Sequence, residues 1–163
     1  MRGSIIISIM LCAALISVAQ STSAKNASAF EPYIEMAEVA PIGKVAGTIW
    51  FYSPKARVDD TEVCKYAVKV IIFEGALPNK ERRILGRTPL VPNNMPTDAA
   101  YFDWFFESRE FLKYCRVGMD GYIEQGNVIK LKRGYRIGKL VVIDYNLLRQ
   151  RLEDDDIIKK MYE

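Results

Sequence analysis

The first thirty residues set the strongest limit on what this chain can fold into. The chain begins MRGSIIISIMLCAALISVAQ, in which Arg2 precedes an uncharged apolar run from Ile5 to Ala19. A positive start, an apolar run of about 7–15 residues and then small residues are typical of a secretory signal peptide. A membrane-spanning helix needs about 20 apolar residues, so a cleaved signal is favoured over an uncleaved anchor.

Two cleavage positions lie close behind this apolar run. Ala19 and Ala24 each end a small-x-small triplet, as signal cleavage requires, and they are favoured over Ala29, which ends a third such triplet farther from the run. We interpret residues 1–24 as a signal peptide, 25–43 as a lead-in segment and 44–163 as one globular domain. The mature protein is then expected to be secreted or periplasmic, with no transmembrane segment. Its roughly 140 residues are enough to bury a core without a metal.

Export also determines the chemistry expected of the two remaining cysteines, Cys64 and Cys115, because Cys12 leaves with the signal. In an oxidising compartment, two cysteines in one domain most often form one internal disulfide. Two buried free thiols and an intermolecular bridge are the alternatives. We therefore predict a Cys64–Cys115 disulfide.

Runs of β-branched and aromatic residues predict most of the secondary structure. Three segments are predicted strands: 44–52, 63–75 and 82–88. The segment 121–145 predicts a meander, with turns near Gln125-Gly126 and Arg133-Gly134 and a long last strand. The lead-in 31–41 predicts at most one short helical stretch.

The aromatic-rich segment Thr97–Cys115 decides between two architectures. As a helix it is capped by Thr97 or Asp98 and carries one polar face, whereas the alternation of a strand fails after Glu107. We therefore predict an α+β fold: an antiparallel sheet of about five or six strands, a packed helix at 98–115 and a C-terminal helix beginning near Asn146. The alternative is an all-β sandwich of immunoglobulin-like or transthyretin-like form.

The residue inventory excludes several kinds of catalysis. The chain has no histidine, which excludes Ser-His-Asp and Cys-His sites and removes the commonest metal ligand. No glycine-rich phosphate loop occurs, and the acidic runs lack the spacing of a calcium loop. We expect no metal, no cofactor and no enzymatic activity. A small carboxylate-dependent hydrolase is an alternative, with these candidate acids: Glu74, Asp103, Glu107 and Asp144.

Two groups of side chains are candidate binding surfaces. The first is a basic hairpin whose cations are predicted to bind an anion: Lys130, Lys132, Arg133, Arg136 and Lys139. The alternative for these cations is a solvated sheet edge that discourages strand pairing. The second is a predicted contact patch formed by Tyr101, Trp104 and Phe105, although aromatic density of this kind is more often core.

These observations favour an exported, non-catalytic binding protein with a protein partner of unknown identity. An anion-binding module that takes a glycan, a lipid headgroup or an acidic protein at the basic hairpin is the first alternative. The charge is nearly balanced, with 23 Lys and Arg against 20 Asp and Glu. General binding of nucleic acid is therefore not expected.

Overall fold

The computed structural model describes residues 31–38, 40–91, 98–118 and 127–160. Within these ranges the chain forms one six-stranded mixed sheet, three α-helices and a short 3-10 helix. The predicted α+β fold class is therefore confirmed. The predicted signal peptide, its cleavage positions and the predicted turn at Gln125-Gly126 lie outside the described residues.

The described residues contain six strands, three α-helices and one 3-10 helix. The strands are β1 Tyr33–Glu38, β2 Val45–Ser53, β3 Ala76–Leu77, β4 Cys115–Val117, β5 Asn127–Lys130 and β6 Tyr135–Ile143. The helices are α1 Asp60–Phe73, α2 Ala99–Glu107 and α3 Tyr145–Asp154, and the 3-10 helix spans Glu110–Lys113. None of the helices in the described ranges is long and apolar enough to cross a membrane.

The two long strands β2 and β6 form the centre of the sheet. They pair antiparallel over their whole length, from Val45 opposite Ile143 to Ser53 opposite Tyr135. The strand order is β3-β1-β2-β6-β4, and β5 pairs with the first part of β6. Because β1 and β3 pair in parallel, the sheet is mixed rather than purely antiparallel as predicted.

The strand predicted at 63–75 is wrong, because this segment is helix α1. Its buried residues recur at helical spacing: Val63, Cys64, Ala67, Val68, Val70, Ile71 and Ile72. The side chain of Asp59 caps the helix by accepting a hydrogen bond from the Thr61 amide at 3.2 Å. Burial of one whole face and this cap outweigh the strand preference of the β-branched residues.

Two further elements differ from the sequence predictions. The lead-in contains strand β1, whose Ile34 and Met36 point into the core, rather than a helical stretch. The strand predicted at 82–88 is instead part of a loop held by two isolated bridges, Ala76 to Arg87 and Asn79 to Ile84. β1 lies between β2 and β3, whereas the loop pairs with β3 beyond the regular sheet.

The predicted helix at 98–115 is confirmed in its first part. Asp98 caps α2 by accepting a hydrogen bond from the Tyr101 amide at 2.9 Å. The α-helix ends at Glu107 with Ser108 as its C-terminal cap. Arg109 then takes a left-handed conformation with φ of 62°, and the chain continues as the 3-10 helix. The predicted C-terminal helix is α3, whose cap is Asp144 rather than Asn146.

The core lies on one side of the sheet, where α1 contacts β1, β2, β4 and β6. Phe105 of α2 and Leu148 and Leu152 of α3 complete it. The sheet therefore has a face that packs against the helices and a face turned away from α1. We call the second the outer face.

Candidate functional site

The strand register places aromatic and polar side chains together on the outer face. Trp50 lies in the centre of one row, between Tyr33 on β1 and Gly138 on β6. The adjacent row contains Glu35 and Thr48. Three different strands therefore supply one surface whose members are distant in sequence.

The ring of Trp50 lies directly over Gly138. A Cβ atom built at Gly138 would come within 2.7 Å of Trp50 Cζ3, closer than side chains tolerate. A glycine at this position therefore gives the indole ring the room to lie across the neighbouring strand. The ring forms a flat wall on the outer face.

Arg136 is held against this wall. Its guanidinium carbon lies 4.6 Å from the centre of the Trp50 ring and 5.7 Å from that of Tyr33. Its Nη2 atom donates a hydrogen bond to the Tyr33 hydroxyl. No ion pair of this half-buried cation occurs among the described residues. The guanidinium is therefore oriented by the uncharged Trp50 and Tyr33 side chains, and no described carboxylate lies within ion-pair distance of it.

A cleft of about 300 Å³ lies beside this arrangement on the outer face. Its walls come from β1, β2, β6, the start of β5 and the loop after β3, and Trp50 is common to the cleft and the Arg136 cluster. The loop is fastened to β1, because Arg82 Nη1 donates to the Ala37 carbonyl oxygen at 2.6 Å. The polar lining residues are Glu35, Thr48, Asn79, Glu81, Arg82 and Asn127.

The five cations of the predicted anion site do not share one face. Arg136 lies on the outer face, whereas Lys139 pairs with the core residue Ile49 and lies on the helix side. Lys130 is exposed on β5, and Lys132 and Arg133 are exposed in the turn between β5 and β6. The structure separates Arg136 and Lys139 because strand residues an odd number of positions apart point to opposite faces.

Two cations that sequence reasoning missed follow β2 at the end of the sheet where the hairpin turn lies. Ser53 at the end of β2 pairs with Tyr135, so the segment that follows Ser53 continues beside the turn. This segment contains the exposed Lys55 and Arg57, and the Lys55 amide donates to the Ser53 hydroxyl at 3.1 Å. We call the exposed cations of this end of the sheet the basic end: Lys55, Arg57, Lys130, Lys132 and Arg133. Strand pairing, which the sequence did not reveal, assembles them.

The predicted aromatic contact patch is only partly at the surface. Phe105 is fully buried in the core and cannot contact a partner. The half-buried Tyr101 donates its hydroxyl hydrogen to Asp155 at 2.6 Å, and burial followed by this hydrogen bond raises the pKa of Tyr101. Trp104 is 47% exposed and lies 5.8 Å from the guanidinium of Arg151. Of the three, Trp104 is the most exposed to solvent.

The two thiols of the predicted disulfide come together in the fold. Cys64 of α1 and Cys115 of β4 are 3% and 8% exposed, and they lie near each other without being bonded. Their mutual hydrogen bond lowers the pKa of Cys64 and, together with burial, raises that of Cys115. The disulfide stays a prediction.

The acids considered for a hydrolase lie on three different elements. Glu74 ends α1, whereas Asp103 and Glu107 are exposed on α2. Asp144 caps α3 and pairs with Lys44 Nζ at 3.5 Å. The acids that line the cleft are instead Glu35 and Glu81, which the sequence analysis did not single out. Alternation along β1 places Glu35 opposite the buried Ile34 and Met36, but it does not indicate a cleft.

The chain matches no protein-family model, no curated protein and no solved structure. The geometry of the outer face therefore carries the functional proposal by itself.

Proposed function

We propose that this protein is an exported, non-catalytic binding protein that holds an anionic ligand on the outer face of its sheet. The observation that carries the proposal is the guanidinium of Arg136. It rests against Trp50 and is bonded to the Tyr33 hydroxyl, and no described carboxylate pairs with it. A half-buried cation without a counter-ion favours binding of an anion, which would restore the balance of charge.

The chemistry of arginine supports this role. A guanidinium presents several N–H donors in one plane, which match the oxygens of a carboxylate, sulfate or phosphate. Because Trp50 and Tyr33 already orient Arg136, binding costs less side-chain entropy than it would at a free arginine. The site is preorganised for an anion.

The basic end adds attraction over a longer range. Its five exposed cations lie at the end of the sheet where β6 begins. The first residue of β6 is Tyr135, which directly precedes Arg136 in the chain. Asp59 and Asp60 follow Arg57 at the start of α1, and Asp59 is engaged in capping that helix. Charges of this kind raise the association rate of an anion and make it sensitive to salt.

Export and the absence of histidine support a binding role rather than catalysis. The predicted signal peptide places the protein outside the cytoplasm, and the chain has no imidazole for acid–base or metal chemistry. A protein partner stays a prediction, and the exposed ring of Trp104 is the described member of the predicted contact patch that is available to one.

The test measures anion binding through the fluorescence of Trp50. The chain has two tryptophans, so Trp104→Phe leaves Trp50 as the sole reporter beside Arg136. In this background sulfate is expected to change the emission, and Arg136→Gln is expected to weaken binding about 10- to 100-fold, since a hydrogen bond to a charged group contributes roughly 1.5–3 kcal/mol.

The matched control is Lys69→Gln, which removes an exposed cation of α1 on the other side of the sheet. This variant has the same change of net charge and is expected to bind sulfate as the parent does. If Arg136→Gln and Lys69→Gln bind sulfate equally well, Arg136 does not hold the anion and the proposal is wrong.

A further inference from the structure

We infer that the ligand on the outer face is an acidic sugar, with its anionic group at Arg136 and its hydroxyls in the adjoining cleft. This inference rests on the proposed function, because it uses the same arginine. It adds the chemical class of the ligand, which the cleft beside Arg136 indicates.

The spacing along the strands fits one sugar ring. Arg136 lies over the row of Trp50, and the side chains of Glu35 and Thr48 form the next row of the same face. Two residues along a strand advance by about 7 Å. A ligand that reaches both rows must therefore carry its anionic group at one end and its hydrogen-bonding groups within one ring length of it.

The cleft carries the groups that bind hydroxyls. The side chains of Glu35 and Glu81 form no hydrogen bond or ion pair with other described residues, so their oxygens are available as acceptors. Asn127 and Thr48 supply groups that both donate and accept. A sugar hydroxyl also donates and accepts, and it pairs well with such a mixed lining.

The same two carboxylates disfavour a ligand with several negative charges. A polyphosphate in this cleft would place its charges near Glu35 and Glu81, whereas the described cation of the lining, Arg82, already donates to the Ala37 carbonyl oxygen. The two carboxylates outnumber this cation, so a multiply charged anion meets net repulsion. A ligand with one anionic group and several neutral hydroxyls avoids this repulsion. The arrangement of charge thus separates an acidic sugar from a multiply charged anion.

The size and the apolar wall of the cleft agree with this class. A volume of about 300 Å³ is at the lower end of the range of small-molecule sites. Trp50 and the aliphatic Leu140 line it and provide an apolar surface for the C–H groups of a sugar ring. One sugar unit fits this space better than an extended lipid or peptide.

The experiment compares four probes on the Trp104→Phe protein, with Trp50 as the reporter. The probes are a monomeric uronate, the neutral parent sugar, acetate and inorganic sulfate. The uronate is expected to bind at least about tenfold more tightly than acetate, which has the same carboxylate without hydroxyls, and than the neutral sugar. A second comparison sets an oligouronate against the monomeric uronate at equal molar concentration. Tighter binding of the oligouronate indicates a polymer-derived ligand, and equal or weaker binding indicates a free sugar acid.

Two variants separate the cleft from the arginine. The charge-neutral double variant Thr48→Val and Asn127→Leu is expected to reduce uronate binding to the level of acetate, because it removes hydroxyl partners in the cleft without removing a charge near Arg136. Arg136→Gln is expected to weaken the uronate, acetate and sulfate together. Far-ultraviolet circular dichroism and thermal melting confirm that each variant is folded before its binding is compared.

The outcomes distinguish the two proposals. If acetate binds as tightly as the uronate and Arg136→Gln weakens both, the sugar inference is overturned and the anion site stands. If none of the uronate, acetate and sulfate binds, or if Arg136→Gln leaves their affinities unchanged, the proposed function fails as well. If the uronate binds selectively but the cleft double variant binds it unchanged, the cleft does not hold the sugar and the inference is overturned.

Discussion

Oxidation of Cys64 and Cys115 is expected to stabilise this protein by several kilocalories per mole. The two thiols lie next to each other in the core, and they join α1 to β4, which pack together in the fold. They are about 50 residues apart in the chain. A bond between them therefore lowers the conformational entropy of the unfolded state, which raises its free energy by about 4 kcal/mol. Any strain needed to bring the sulfurs to bonding distance reduces this gain.

The expected consequence for thermal stability follows from the size of the domain. At about 3 °C per kcal/mol, the oxidised protein should melt about 12 °C higher than the reduced protein. The comparison requires material exported through an oxidising compartment, melted with and without a dithiol reductant. Because both thiols are buried, reduction must be carried out in denaturant before refolding, since exchange needs access to the sulfur.

Mass spectrometry tests the bond itself. Loss of two protons and two electrons to a disulfide oxidant such as glutathione disulfide makes the chain about 2 Da lighter, and alkylation in denaturant then finds no thiol. Cys64→Ser is the control, since it should leave one alkylatable thiol in a monomer. Two alkylatable thiols in exported protein, or a disulfide-linked dimer, would refute the reasoning.

Three further predictions concern packing, charge and helix capping. Gly138→Ala places a methyl group against the Trp50 ring, so we expect a cost of about 1 kcal/mol, a red-shifted Trp50 emission and weaker sulfate binding. Burial raises the pKa of Asp155, but hydrogen bonds from Tyr101 and Arg151 outweigh burial and hold this pKa below its ordinary value of 3.8. Asp155 therefore stabilises the fold above pH 3.8. This contribution is lost as the pH falls through the lower pKa of the folded state. Asp98→Ala removes the cap of α2 and should destabilise the protein by about 1 kcal/mol in urea denaturation.

Each of these predictions has its own control. Asp103→Ala removes an exposed acid of the same helix and should change the urea midpoint little, so equal losses at Asp98 and Asp103 would contradict the capping argument. Asp155→Asn should make the decline in stability at acid pH smaller, and an unchanged decline would show that other carboxylates cause it. Sulfate binding that is unaffected by Gly138→Ala would mean that the position of the Trp50 ring does not orient Arg136.

The helix α1 shows why sequence patterns alone misplace an element. The run from Val63 to Phe73 is rich in β-branched residues, and its side chains satisfy the alternation of a strand as well as the spacing of a helix. The acids Asp59 and Asp60 before it are a helix-start signal that the strand prediction did not use. The helix is preferred because it buries a wide apolar face against four strands at once.

The cluster around Arg136 shows that local sequence patterns do not reveal which strands are neighbours in the sheet. Alternation along β2 places Trp50 on the face opposite the buried Ile49 and Phe51, and this much can be deduced from the sequence. Tyr33 is about 100 residues away from Arg136 in the chain, and no local pattern indicates that their strands flank β2. The aromatic support of the arginine, and thus the candidate anion site, depends on the order of the strands.

The sequence by itself determined the α+β class, the central strands, the turn at Arg133-Gly134, and the helices α2 and α3. These features follow from local causes: caps, turn residues and the period of apolar side chains within a few neighbouring positions. Tertiary structure decided between helix and strand for α1, and it alone brought Cys64 near Cys115 and Arg136 against Trp50 beside a cleft. Each of these depends on contacts between segments far apart in the chain, where the energy of burial and pairing outweighs local preference.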